Sequence, residues 1–150
     1  MIQVECGYRY IHVGPDTVNR VSNIPNNAFV TEGCYIITEP GTVLNDIRRV
    51  HNVTAGMHGT TNVMNSTRLR TGTILTIGGY NFTIIKLGDV TGTGLIEAAD
   101  FVMIRNHITG QLQLNELQRR AADTSRTGTI EAADFVRVRN HIMGIGHITL

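Results

Sequence analysis

The spacing of apolar residues changes once along this chain. From Ala98 onward, Phe101, Ile104 and Ile108 recur at intervals of three and four, and Phe135, Val138 and Ile142 repeat that stripe. Each stripe predicts a helix with one apolar face, stopped by Gly110 in the first case and Gly144 in the second. Between them, Asn115-Glu-Leu-Gln118 has the form of a cap with a glutamine three residues on, opening a short helix through Leu117 and Ala121. Before about residue 87 the pattern is strand-like. Tyr8-Arg-Tyr-Ile-His-Val13, Cys34-Tyr-Ile-Ile-Thr38, Thr73-Ile-Leu-Thr-Ile77 and Tyr80-Asn-Phe-Thr-Ile-Ile85 are short, β-branched or aromatic, and bounded by Gly, Pro or Asn. Gly78-Gly79 marks a hairpin between the last two. Leu44 to Val50 predicts a short helix with Leu44, Ile47 and either Val50 or Arg48 turned inward. The fold class is therefore α+β, with a small antiparallel β domain over residues 1–87 and an all-α domain over residues 88–150. Lys86-Leu87-Gly88 runs straight into the second part, so no flexible linker is expected.

The second part is a duplication. Asp89-Val-Thr-Gly-Thr-Gly-Leu-Ile-Glu-Ala-Ala-Asp100 returns as Asp123-Thr-Ser-Arg-Thr-Gly-Thr-Ile-Glu-Ala-Ala-Asp134. Phe-Val, Arg-Asn-His-Ile and a closing glycine follow in both copies, which makes residues 88 to 145 one repeated unit. Numbered from the first aspartate, side-chain oxygens fall at positions 1, 3, 5, 9 and 12, with glycine at 6. In the first loop these are Asp89, Thr91, Thr93, Glu97 and Asp100; in the second, Asp123, Ser125, Thr127, Glu131 and Asp134. Calcium takes six to eight oxygens, and the carbonyls of Leu95 and Thr129 at position 7 add one each. An ordinary helix–loop–helix calcium hand has acids or amides at positions 3 and 5 and glutamate at 12, whereas here 3 and 5 are hydroxyls. Two readings stand side by side: weakened or rearranged calcium binding, and a metal-free loop whose hydroxyls bond to the backbone.

The pattern Gly-Asp-Val-x-Gly-x-Gly-x-Ile-x-x-x-Asp, the helix ending in glycine, the connector with its Gln-x-x-Ala-Ala-Asp ending, and the near-identical second loop and helix together resemble a dockerin. Dockerins are duplicated F-hand modules by which bacterial secreted enzymes dock onto cohesin modules of scaffolding proteins. The resemblance covers residues 88 to about 146. It implies a cohesin-like β partner met by the helix starts: Ala98, Ala99, Val102 and Arg105 in one copy, and Ala132, Ala133, Val136 and Arg139 in the other. The duplication implies two alternative docking faces related by a pseudo-twofold axis. The plain alternative is that these alanines are helix formers packed against the core. In the family, position 3 is usually asparagine and position 5 aspartate. Thr91, Thr93, Ser125 and Thr127 depart from that pattern, while Glu97 and Glu131 return one carboxylate per loop, so calcium is expected to be weak or absent. The stretch from Leu69 to Asp89 resembles small β modules that abut dockerins in surface proteins of Gram-positive bacteria.

Composition narrows the function further. A chain of 150 residues, 41% hydrophobic and 17% charged, is long enough for a real core. Its 13 basic and 12 acidic residues nearly cancel, which argues against nucleic acid or an anionic membrane as partner. No apolar run approaches the roughly 20 residues of a membrane span, and no export signal is visible at the start. Cys6 and Cys34 allow one disulfide or two buried thiols, and neither has a neighbouring base that would make it a nucleophile. His107 and His141 hold equivalent helix positions without zinc spacing to either cysteine. Asn52, Asn65 and Asn81 open formal glycosylation sequons read as turn and strand residues, and Gly92-Thr-Gly94 lacks the lysine of a phosphate loop.

Catalysis is not expected. The first reading is an interaction module docking onto a cohesin-like partner, outside the cell or on its surface. The alternative is a decoration or fibre protein bound to the capsid shell of a bacteriophage virion, a setting compatible with a homo-oligomer. A calcium sensor is the weakest reading, because the ligands at positions 3 and 5 are missing.

Overall fold

A computed structural model describes residues 18–19 and 27–150. The strand expected at Tyr8–Val13, and Cys6 with it, lie outside the described residues. From residue 27 the chain forms β1 (Phe29–Glu32), β2 (Tyr35–Thr38), α1 (Leu44–Arg48), β3 (Val53–His58), β4 (Thr61–Asn62), β5 (Ile74–Ile77) and β6 (Tyr80–Lys86). Then come α2 (Ala98–Ile108), α3 (Glu116–Ala122) and α4 (Ala132–Ile142). The α+β class therefore holds, with strands first and the duplicated helices after them.

The strands make one six-stranded sheet in the order β1-β2-β6-β5-β3-β4. It is not purely antiparallel as expected, because β2 pairs with β6 in parallel, Ile36 opposite Ile84 and Ile37 opposite Ile85. The reason lies in the isoleucine doublets. Side chains alternate between the two faces of a strand, so an apolar doublet needs burial on both faces, as parallel pairs normally have. Ile36 and Ile84 join Phe29, Phe82 and Leu75 on one face, where Leu44 and Ile47 of α1 cover them. Ile37 and Ile85 join Val30 on the other face, against Ile104, Ala121, Val138 and Ile148 from the duplicated half. The sheet is thus a wall between two cores.

The Gly78-Gly79 hairpin is formed as expected, with Ile77 opposite Tyr80. Both glycines have positive φ, 61° and 83°, as the tight two-residue turn requires. In α1, Leu44 and Ile47 are buried as expected, but Val50 and Arg48 are exposed. The third inward residue is Asp46, whose Oδ2 accepts from the Val43 amide at 3.0 Å and from Asn27 Nδ2 at 2.7 Å.

The helices follow the repeat. Phe101 and Phe135 stack at 4.3 Å between ring centroids, and Ile104 and Val138 are fully buried beside them. Asn115 caps α3 as expected, accepting from the Gln118 amide at 2.9 Å while Gln118 Oε1 accepts from the Asn115 amide at 3.0 Å. The apolar stripes end earlier than their spacing implies, for Ile108 is 42% and Ile142 41% exposed. Leu114 and Ile148 fill that part of the core instead, because the chain folds back after each helix. The Leu114 amide donates to Nδ1 of His107 at 3.3 Å, and the Ile148 amide donates to Nδ1 of His141 at 3.4 Å. The equivalence of the two copies thus reaches past residue 145, to Ile148.

No linker separates the halves. Leu87 follows β6 directly and is buried, its amide donating to the Thr38 carbonyl at 3.0 Å. The Gly88 amide then donates to Ala121 at 2.8 Å. Gly88 has a positive φ of 90°, which favours glycine, and a Cβ there would stand 2.8 Å from Cδ1 of Ile148, so its absence lets the C-terminal segment close over the junction.

Candidate functional site

The two loops sit at corresponding places, each entering a long helix. In the first, Asp89 is fully buried. Its Oδ1 accepts from the Thr93 amide at 3.0 Å, and its Oδ2 from the amides of Gly94 and Thr71, both at 3.0 Å. Asp100, also fully buried, accepts at Oδ1 from the Thr91 amide at 2.8 Å and the Thr91 hydroxyl at 2.9 Å. Its Oδ2 accepts from the Glu97 amide at 2.8 Å. Burial raises the Asp100 carboxyl above its ordinary value, opposed by the hydrogen bonds from Glu97 and Thr91, while the Asp89 charge adds to the rise.

The second loop repeats this pattern. Asp123 accepts from the amides of Thr127 at 3.1 Å and Gly128 at 2.8 Å, and from the Ser125 hydroxyl at 3.3 Å. Asp134 accepts from the amide and hydroxyl of Ser125, both at 2.8 Å, from the Thr124 hydroxyl at 3.3 Å and from the Glu131 amide at 2.9 Å. The hydroxyls at position 5 turn to the carbonyls at position 7: Thr93 to Leu95 at 3.4 Å and Thr127 to Thr129 at 3.2 Å. Glu97 and Glu131 are exposed at the helix starts.

This donor set does not fit a calcium site well. Six to eight oxygens would have to offer lone pairs to one point. Instead each carboxylate at positions 1 and 12 already accepts at least two backbone N–H bonds, and the position-3 hydroxyls donate into the carboxylate at position 12. Among the described residues, no group of three or more His, Cys, Asp or Glu is arranged to hold a metal ion.

Residues that sequence reasoning missed, most of them outside the loops, support them. Lys86 is the only lysine in the chain and is 1% exposed. Its Nζ donates to the carbonyls of Gly94 at 2.6 Å and Leu69 at 3.1 Å. Burial pushes its pKa down to about 7, against the opposing pull of Asp89. Arg70 Nε donates to the Gly92 carbonyl at 2.8 Å. On the second loop, Arg126 holds a left-handed backbone, φ 58°, at the position equivalent to Gly92, and its guanidinium reaches Glu32 at 2.8 Å. Arg120 joins the same carboxylate at 3.3 Å and lies 4.1 Å over the Tyr35 ring. The one sequence signal for any of these was a lone lysine inside the apolar run Ile84-Ile85-Lys86-Leu87.

Two clefts follow the repeat. One, of about 700 Å³, lies between Glu32 and Ile37 of the sheet, His107 of the first copy and Gly128 to Ile130 of the second loop. Its counterpart, of about 470 Å³, lies between Pro40 and Arg68, His141 of the second copy and Gly94 to Ile96 of the first loop.

The helix-start residues lie outward. Ala98, Ala99 and Arg105 are exposed with Val102 at 43%, and Ala132, Ala133 and Arg139 are exposed with Val136 at 37%. Met143 and Ile145, 62% and 66% exposed, extend the apolar surface beyond α4. Cys34 is disulfide-bonded, and the other half of that bond lies outside the described residues. No helix among the described residues is long and apolar enough to cross a membrane.

Comparison with known families matches residues 87–143 to the dockerin type I domain. A search of curated proteins finds no match to the chain. Dockerin domains are non-enzymatic modules that bind cohesin partners in extracellular, cell-surface assemblies, and the match is compatible with calcium. The duplicated loop–helix part of this chain, over residues 87–143, is thus similar to dockerin type I domains.

Proposed function

We propose that the chain is a docking module in which the outer faces of α2 and α4 bind a cohesin-like β partner and the sheet is a rigid mount behind them. The observation that carries this reading is the repeated exposed set Ala-Ala-Val-Arg on two helices whose opposite sides are locked by Phe101 and Phe135. Small side chains let a flat β surface approach closely, Val102 and Val136 supply apolar contact, and Arg105 and Arg139 border the patch. Either copy can dock, since both present the same set. Docking takes place outside the cell, in keeping with the disulfide at Cys34, because such bonds persist in oxidising surroundings. Neither virion decoration nor calcium sensing draws a supporting observation from the described residues.

Titration calorimetry against a panel of purified cohesin modules tests the proposal. A partner should bind the parent chain, each single variant Val102→Asp and Val136→Asp should still bind through the other face, and the double variant should bind at least about 30-fold more weakly. Failure of every cohesin to bind, or a double variant that binds like the parent, overturns it.

A further inference from the structure

We propose that the two dockerin-like loops are closed by the chain's own donors, several of them supplied by the sheet, so that this domain folds and holds its docking faces without calcium. The inference concerns how the loops close and stands independently of which partner the helices bind.

The accounting is local, and it covers the carboxylates at positions 1 and 12 that a cation would use. In both copies the position-1 aspartate is capped by the amides at positions 5 and 6: Asp89 by Thr93 and Gly94, Asp123 by Thr127 and Gly128. The position-12 aspartate is capped by the amides at positions 3 and 9 and by the position-3 hydroxyl: Asp100 by Thr91 and Glu97, Asp134 by Ser125 and Glu131. A hydroxyl at position 3 therefore does what an aspartate cannot, because an ionised carboxylate has no proton to give to Asp100 or Asp134. The position-7 carbonyls are approached by the position-5 hydroxyls. With both hydroxyl substitutions present in both copies, each loop carries the same set of internal donors.

The sheet adds the remainder. The segment just before β5 sends the Thr71 amide to Asp89 and Arg70 Nε to the Gly92 carbonyl. Lys86, at the end of β6, ties the Gly94 carbonyl to that of Leu69. Three contacts thus pin the first loop against the strands, on its first aspartate and on the carbonyls at positions 4 and 6. The second loop is held more lightly, by Arg126 on Glu32 at the end of β1. A loop bound from outside in this way has its shape fixed before any ion arrives.

The test is thermal unfolding of the full chain in about 1 mM calcium and in excess chelator. A site with a Kd near 10⁻⁵ M would raise the melting temperature by about 5–10 °C at 100-fold excess of calcium. The expected result is no shift beyond about 1 °C. A larger rise that chelator reverses overturns the proposal. A second arm uses Thr91→Val with Ser125→Ala, which removes both position-3 hydroxyl donors. The double variant should melt several degrees lower in chelator and calcium alike, and rescue of its stability by calcium also overturns the proposal.

Discussion

The single lysine allows a sharp test of how the two halves are joined. Lys86 lies buried at the end of β6, with its pKa lowered from 10.5 in the free side chain to about 7. Between those values the unfolded chain holds a proton that the folded chain has released, so stability rises with pH across that window. Below about pH 7 both states are protonated and the slope vanishes; above about 10.5 both are neutral and the gain is complete. Deprotonation spares the contacts, since a neutral amine keeps two N–H bonds for the carbonyls of Leu69 and Gly94. The full gain is roughly 5 kcal/mol, and about 2 kcal/mol of it falls between pH 7 and pH 9. Urea unfolding of the parent and of Lys86→Met, at both pH values and constant ionic strength, measures it. The parent should gain about 2 kcal/mol and the variant nothing from this source, so the difference between the two should move by that amount. Because no second lysine titrates in the window, and the comparison cancels every other group, parallel pH profiles for the two proteins would refute the buried, depressed ammonium.

Ile148→Ala should cost about 2–4 kcal/mol in urea unfolding despite lying near the C-terminus, because its side chain is fully buried against Gly88; a loss under about 1 kcal/mol would mean that the segment is not part of the core. Phe101→Ala removes one partner of the half-buried ring stack between α2 and α4 and should cost about 2–3 kcal/mol, read from the denaturation midpoint at unchanged m-value. At Arg126 the backbone strain and the bond to Glu32 oppose each other. Arg126→Gly relieves about 1 kcal/mol of left-handed strain while losing a surface pair worth less, and Arg126→Ala only loses the pair. Stability should therefore rank glycine at or above arginine and arginine above alanine, and the reverse order would contradict the geometry.

The two loop–helix copies were legible in the sequence because the signals for them are short-range, though not their closing contacts at Leu114 and Ile148. Glycine at the turn, aspartate ahead of it, and Phe101-to-Ile104 or Phe135-to-Val138 spacing all act within about a dozen residues. The same is true of the Asn115–Gln118 cap and the Gly78-Gly79 turn, which are read from neighbours along the chain and formed as expected. β1 and β3 were missed because their apolar positions are few: β3 buries Val53 and Gly56 alone, and a glycine gives no strand signal.

What only the tertiary structure decided is where the two halves meet and what closes the loops. The doublets Ile36-Ile37 and Ile84-Ile85 announce burial on two faces, yet nothing in them says that one face is covered by α1 and the other by the duplicated helices. The partners of the loops are set by the same docking. Thr71 and Glu32 are ordinary strand and turn residues in sequence, and they and Lys86 become loop partners only after β6 delivers the first loop to the sheet and α3 brings the second beside β1. The sequence determines its turns, caps and helical stripes because those depend on bonded neighbours. Which donor reaches which buried carboxylate depends on surfaces far apart in the chain, and these are brought into contact only when both cores are packed.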